Sequence, residues 1–180
     1  MILPVPDQKV AIVTGPQRSG TTIAARILAA DWGRQYIPEE TFAAHDEDAF
    51  YHTVYSCHTG ARPAVIQAPG MAHVLEYVAT PRVLVVWILR PLDEILASQA
   101  RIDWTRLWAP RERAKYPGWP RHWPVALIKY RRWRQVREHV PHWVQLPYRR
   151  LEGHPLWVPA EERRTFGPRQ TARTKPLEVS

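Results

Sequence analysis

The feature that most constrains the fold of this chain is a short apolar segment that leads through a glycine-bounded loop into an amphipathic segment. Residues 9–14 (KVAIVT) are rich in β-branched side chains, which predicts a short buried strand. The loop GPQRSGTT follows and places four residues between Gly15 and Gly20. The segment TIAARILAADW then repeats apolar side chains at helical spacing and ends before Gly33. A strand, a glycine-bounded loop and a helix in this order open a β–α–β unit.

The rest of the chain continues this alternation of strands and helices. The pattern predicts further strands at 35–37, 64–67, 83–89 and 143–146, and helices near 47–56, 71–79, 91–102 and 124–139. It therefore predicts one α/β domain over residues 1–180, a P-loop three-layer α/β/α fold whose mostly parallel sheet is covered on both faces. We expect a loop or lid at 105–124, where Pro, Trp and Arg interrupt the pattern, and an irregular tail at 159–180.

The composition favours a cytoplasmic protein without a membrane anchor. A single cysteine, Cys57, excludes an internal disulfide and a cysteine metal cluster, and it suits a reducing compartment. No charged segment followed by a long apolar stretch stands at the start, so we expect no signal peptide. The apolar runs at 10–13 and 83–89 are too short to cross a bilayer. The eight histidines show no metal-ligand spacing, so we expect no metal site.

The net charge of +8 is concentrated in one segment. Residues 101–137 hold 11 basic and 2 acidic side chains, a net charge of +9. Such a segment attracts nucleic acid, another polyanion or a charged nucleotide, and arginines interleaved with tryptophan, as in YRRWRQVR, suit stacking on single strands. The alternative is a solvated basic helix with no partner.

The loop has the frame of a phosphate-binding loop but lacks its lysine. The two glycines allow a tight turn in which successive backbone N–H groups face an anion at a helix N-terminus. Loops that serve nucleoside triphosphate hydrolysis place a lysine after the second glycine, where this chain has Thr21. A cation stands three residues earlier, at Arg18. Triphosphate hydrolysis is therefore disfavoured.

The same loop resembles the 5′-phosphosulfate-binding loop of sulfotransferases, which is commonly P-R-S-G-T-T or P-K-S-G-T-T after the first strand. A second segment, ILRPLDEILASQARI, resembles the family's site for the 3′-phosphate, with an arginine at a strand end and a serine eight residues later. The resemblance implies a nucleotide site formed by Gly15, Arg18, Ser19, Gly20, Thr21, Thr22, Arg90 and Ser98.

Two later segments extend the resemblance. LPYRRL, at 146–151, resembles a strand-end segment of the family, although Arg149 and Arg150 stand where acidic residues are usual. FGPRQT, at 166–171, resembles the C-terminal loop and adds Arg169 to the implied nucleotide-binding residues.

The resemblance implies transfer of a sulfuryl group from 3′-phosphoadenosine 5′-phosphosulfate to a hydroxyl or amine of a small-molecule or glycan acceptor, without a metal. Arg18 would stabilise the charge that grows on the departing phosphate. Members of the family take the acceptor proton with a glutamate soon after the first helix or with a histidine after a middle strand. Glu39 and Glu40 match the first pattern, or else form an ordinary helix N-terminal turn. His73 stands several residues late for the second pattern.

Two other functions remain open from the residues alone. One is a P-loop nucleotide or nucleoside kinase, which would use an arginine-rich lid such as 106–121 and would depend on Mg²⁺. The other is a non-catalytic protein whose loop holds a nucleotide while 101–137 binds nucleic acid or a protein. The acceptor and the oligomeric state do not follow from the sequence.

Overall fold

The computed structural model describes residues 1–42, 46–60 and 62–158. Within these ranges the chain alternates between five strands and seven α-helices. The strands are β1 (Val10–Thr14), β2 (Gln35–Ile37), β3 (Ala64–Gln67), β4 (Val83–Leu89) and β5 (Trp143–Pro147). The helices are α1 (Thr21–Asp31), α2 (Glu47–Thr59), α3 (Leu75–Val78), α4 (Leu92–Ala100), α5 (Trp104–Leu107), α6 (Ala109–Ala114) and α7 (Val125–Val136).

The strands form one sheet in the order β2-β3-β1-β4-β5, and every neighbouring pair is parallel. The central strand β1 is buried at all of its residues, as its β-branched run predicts for a strand covered on both faces. The prediction of a mostly parallel sheet in an α/β fold is confirmed.

Each face of the sheet packs against its own apolar cluster. On one face Phe50 of α2, Leu75 of α3 and Trp133 of α7 pack on β1, β3 and β4. The indole of Trp133 stacks on that of Trp87, with ring centroids 4.7 Å apart. On the other face α1 packs against β1, β3, β4 and β5 in a second cluster, which also includes Leu151. Helices thus lie on both sides of the sheet, and the three layers predicted from the sequence are present.

The segment 105–124, predicted to be a loop or lid, contains helical structure. It holds nearly all of α5 and the whole of α6. The helices form because Trp104 and Tyr116 bury their rings beside Val125 and Ile128 of α7, which gives this segment an apolar contact of its own. The predicted tail at 159–180 lies outside the described residues.

The parallel arrangement brings the carboxyl ends of the strands to one edge of the sheet. There β1 leads into the glycine-bounded loop, β2 into a 3₁₀ turn at Glu39–Thr41, β3 into another at Pro69–Met71 and β4 into Arg90. In open parallel sheets this edge is where ligands bind. Among the residues that the structure describes, no helix has both the length and the apolar character needed to cross a membrane.

Candidate functional site

The loop between β1 and α1 has a backbone that requires glycine at both of its ends. Gly15 and Gly20 have φ angles of 149° and 100°, which other residues rarely adopt. A Cβ on Gly20 would lie 2.3 Å from the ring of Tyr148, so a side chain there would also collide.

Hydrogen-bond donors at the start of α1 lack side-chain partners within the part of the chain that the structure describes. The first N–H groups of α1 have no side-chain cap. The buried hydroxyl of Ser19 has no partner among the described residues. Unsatisfied donors at a helix N-terminus are suited to an anion.

Arg18 is held in this loop by Ser98 and Arg90, two residues that the sequence also assigned to the nucleotide site. Its backbone is left-handed, with φ 72°, and its side chain is exposed. Arg18 Nε donates to the hydroxyl of Ser98 on α4 at 3.3 Å, and Arg90 Nη1 donates to the Arg18 carbonyl at 3.0 Å. Gln99, which the sequence analysis missed, donates to the carbonyl of Gln17 at 3.1 Å. The structure therefore brings Arg18, Arg90 and Ser98 together at the end of β4.

Arg90 also has other partners. Its Nε lies 3.0 Å from Glu94 Oε2, and its guanidinium lies 4.3 Å from the centre of the Tyr148 ring. The hydroxyl of Tyr130 accepts from the Arg90 N–H at 3.1 Å and donates to its carbonyl at 2.5 Å. Arg90 thus supports the loop through the Arg18 carbonyl, and Glu94 partly neutralises the charge of the Arg90 guanidinium.

A buried lysine reaches the loop from α7. Lys129 has no exposed surface, and its ammonium donates to Gln17 Oε1 at 2.6 Å and to the Pro69 carbonyl at 2.7 Å. It also forms an ion pair with Glu112 Oε2 of α6 at 2.8 Å. Burial lowers the pKa of Lys129, and the carboxylate of Glu112 opposes that shift. The end of β3, the loop and two helices therefore meet at a single cation.

Glu112 is the counter-charge of this network. Its Oε1 accepts from Lys115 Nζ at 3.0 Å, and Lys115 Nζ also donates to the Gly70 carbonyl at 2.7 Å. Burial alone would raise the pKa of Glu112, but Lys129 and Lys115 outweigh it and hold the pKa at about 2. The carboxylate therefore stays ionised at neutral pH.

Glu39 joins the same cluster from the end of β2. Its Oε1 accepts from the Gly70 N–H at 2.7 Å, so Glu39 and Lys115 bind the N–H and the carbonyl of one residue. Burial raises the pKa of Glu39 to about 6, although the Gly70 hydrogen bond and the charge of Lys129 act in the opposite direction. A half-buried carboxylate with this pKa is ionised at neutral pH and basic enough to accept a proton.

The two other predicted candidates for the base differ from Glu39. Glu40 is exposed, whereas Glu39 is half-buried. His73 lies 2.7 Å from Glu47, and burial lowers the pKa of its imidazole.

The remaining predicted nucleotide-binding residues are divided between the loop and the tail. Thr21 is buried and Thr22 is exposed in the first turn of α1. Arg169, with the rest of 166–171, lies outside the described residues. LPYRRL, at 146–151, spans the end of β5 and a 3₁₀ turn, and it supplies Tyr148 against Gly20.

Lys129 was not among the residues predicted for the site; the sequence placed it in the basic segment 101–137, read either as a binding surface for an anionic partner or as a solvated helix. A signal was present, because Val125, Lys129, Trp133 and Val136 recur at helical spacing and all prove to be buried.

Part of the positive charge of segment 101–137 is neutralised inside the protein. Lys115, Lys129 and Arg132 form ion pairs within the protein, whereas Arg131 and Arg134 are exposed on α7. Nucleic-acid binding by this segment stays a prediction.

No family model matches this chain, and no curated protein matches it either. Among solved structures, the chain is similar to shikimate kinase from Acinetobacter baumannii in complex with shikimate, with a TM-score of 0.50 and 18% identity. The match covers 78% of this chain and 83% of the kinase chain. At this identity the likeness shows the fold, a P-loop three-layer α/β/α architecture, as predicted.

The predicted sulfotransferase function is wrong. The finding that overturns it is the match to a P-loop kinase, which favours the kinase alternative. The two motifs that suggested a sulfotransferase misled because one fold supports several chemistries and short loop motifs are shared among them. In the structure Arg90 and Ser98 contact Arg18 within the protein. The donor 3′-phosphoadenosine 5′-phosphosulfate, the expectation of no metal and the cytoplasmic location stay predictions from the sequence alone.

Proposed function

We propose that this protein is a P-loop phosphotransferase that moves the terminal phosphoryl group of a nucleoside triphosphate to a hydroxyl of a small acceptor. The observation that carries this proposal is the convergence of an anion-binding loop and a carboxylate of raised pKa at one edge of the sheet. Glu39 at the end of β2 is joined to the loop after β1 through Gly70, Pro69 and Lys129. A phosphoryl donor and a general base are the two parts that such a transfer needs.

The loop would bind the donor phosphates. The hydroxyl of Ser19 and the first N–H groups of α1, which have no side-chain cap, are the available donors, and Arg18 brings a positive charge to the exposed side. This arrangement favours negative charge at the phosphates, including the charge that shifts to the leaving group during transfer.

A magnesium ion is implied by triphosphate chemistry, and Thr22 stands where P-loop proteins place the hydroxyl that binds it. Its exposure in the first turn of α1 fits that role. The described residues contain no group of three His, Cys, Asp or Glu side chains that would hold a metal. The ion would therefore rely on Thr22, the donor phosphates and water, a mode that suits Mg²⁺, and it would neutralise phosphate charge.

Glu39 would act on the acceptor. The hydroxyl proton passes to the Glu39 carboxylate as the acceptor oxygen forms a bond to the γ-phosphorus. The bond between the γ-phosphorus and the β,γ-bridging oxygen breaks, and the nucleoside diphosphate leaves. Because the pKa of Glu39 is about 6, the carboxylate is ionised at pH 7 and then releases the proton to water.

The first experiment measures the melting temperature with a non-hydrolysable ATP analogue, with and without Mg²⁺, and with adenosine 3′,5′-bisphosphate for comparison. A ligand at 100 times its dissociation constant stabilises by about 2.7 kcal/mol, a shift of roughly 5–11 °C for a domain of this size. We expect this shift with the magnesium-bound triphosphate. No shift with it would contradict the proposal.

The second experiment separates binding from transfer. Glu39→Gln keeps the shape of the side chain and an acceptor for the Gly70 N–H, so the nucleotide-induced shift should persist. Release of nucleoside diphosphate, measured against a panel of small hydroxyl compounds, should fall by roughly 10²–10⁴-fold, the usual contribution of a general base. Glu40→Gln is the matched control at the exposed neighbour. Turnover that survives in Glu39→Gln would refute the role of this base.

A further inference from the structure

The loop lacks a cation at the position where P-loops place lysine, yet a lysine ammonium lies against it. Thr21 occupies the usual position. Lys129, 112 residues away from Gln17 in the sequence, places its Nζ 2.6 Å from the Gln17 side-chain oxygen. The ammonium is fully buried, so water screens its charge much less than that of an exposed lysine.

The three partners of the Lys129 ammonium differ in how easily they can be replaced. Pro69 supplies a backbone carbonyl at the end of β3, and Glu112 is a buried carboxylate that Lys115 also holds. Gln17 supplies a neutral amide oxygen from a half-exposed side chain in the loop itself. An ammonium makes three hydrogen bonds, so a new acceptor must take the place of an existing one. The Gln17 oxygen is the exchangeable partner.

We propose that Lys129 is the missing cation of the phosphate site, and that a phosphate oxygen in the loop replaces Gln17 Oε1 as its acceptor. The inference deepens the proposed function and rests on it for the presence of phosphate in the loop. A hydrogen bond between an ammonium and an anionic oxygen is stronger than one to a neutral amide, which favours the exchange. The Gln17 side chain stands in for the phosphate oxygen when the loop is empty.

Pairing with Glu112 explains why a lysine can occupy this position without a ligand. An unpaired buried ammonium would be costly, and the Glu112 carboxylate offsets that cost. The carboxylate in turn contacts Lys115, so Glu112 offsets part of the charge of both lysines, and the carboxylate of Glu39 in the same cluster also interacts with Lys129.

The test measures pyrophosphate binding by titration calorimetry in the full chain. Lys129→Met should weaken the affinity by on the order of 10- to 100-fold, the range for one lost hydrogen bond to a charged group. Gln17→Ala should bind pyrophosphate at least as tightly as the wild type, because it removes the competing acceptor. Arg134→Met is the matched control, since it removes an exposed cation from the same helix, and it should change the affinity by less than about threefold because its charge is screened.

A second variant guards against loss of folding in Lys129→Met. Lys129→Met combined with Glu112→Gln removes both members of the buried ion pair, which avoids leaving an uncompensated carboxylate. The double variant should show the same weakened pyrophosphate binding.

Each outcome decides between the two proposals. Binding that is indifferent to Lys129, or that weakens in Gln17→Ala as much as in Lys129→Met, overturns the lysine exchange. Absence of pyrophosphate binding by the wild type overturns both proposals. Binding that depends on Lys129, in a protein that transfers no phosphoryl group to any acceptor, supports the exchange and overturns only the proposed function.

Discussion

Replacing Glu39 with Gln should stabilise the protein at alkaline pH, and the structure sets the size of the effect. The Gly70 N–H donates to Glu39 Oε1 at 2.7 Å, and the amide oxygen of Gln can accept the same hydrogen bond. The substitution therefore removes the charge while it keeps the contact. Because burial is what raises the pKa of Glu39, removing the charge removes a cost of folding.

The magnitude follows from the two protonation equilibria of Glu39. Its pKa is about 6 in the folded protein, against an ordinary value of 4.5. The folded state thus binds this proton more tightly, so the contribution of Glu39 to stability is fully present below pH 4.5 and is lost as the pH rises through 6. At pH 8 the full difference applies, about 2 kcal/mol at roughly 1.4 kcal/mol for each pH unit. The side chain of Glu39→Gln does not ionise, so the variant does not lose this stability as the pH rises.

The assay is urea unfolding of the wild type and Glu39→Gln at pH 4 and at pH 8. The variant should gain about 2 kcal/mol over the wild type between the two pH values, or roughly 4–8 °C in melting temperature. Glu40→Gln controls for removal of a carboxylate outside the buried network. The reasoning would be refuted if the gain in Glu39→Gln were independent of pH, or if the variant lost stability relative to the wild type as the pH rose.

Three further predictions concern the same cluster. Turnover should rise with pH through about 6 and then level off, since Glu39 must be ionised to take a proton; a profile without a step near pH 6 would contradict its role as the base. Glu112→Gln should cost about 3–5 kcal/mol in urea unfolding because it leaves two lysines without their counter-charge, and Lys129→Met in the same chain should recover part of that loss. Arg18→Gly should raise the melting temperature of the ligand-free protein by relieving a left-handed backbone, worth about 1–3 kcal/mol, while it weakens triphosphate binding. Unchanged triphosphate affinity in that variant would show that the Arg18 side chain does not contact the phosphates.

Function was the part of the sequence-based interpretation that failed, and the failure has a physical basis. The loop GPQRSGTT predicted an anion site, and the structure has unsatisfied donors there. An anion site alone does not distinguish a sulfate donor from a triphosphate, because backbone N–H groups serve both. The expectation that Arg90 and Ser98 bind a 3′-phosphate stays a prediction; in the structure each of them contacts Arg18.

The sequence by itself determined local structure, namely individual strands, a helix and the loop between them. The β-branched runs specified β1 and β4, the spacing of apolar residues specified α1, and the two glycines marked the loop, because each of these signals depends on neighbours along the chain. Glu39 was named with Glu40 as a candidate base through the family resemblance, which implies a glutamate soon after the first helix, and this role stays a prediction.

The tertiary structure decided which distant residues meet at the site. Glu39, Gly70, Glu112 and Lys129 come from four separate segments, and Lys129 stands 112 residues from its partner Gln17. Their meeting depends on the strand order β2-β3-β1-β4-β5 and on the packing of α6 and α7 beside it. Strand order is set by the burial of whole faces, so no local pattern specifies it. Packing thereby turned Lys129, which belongs to a basic helix in the sequence, into a buried cation beside the glycine-bounded loop.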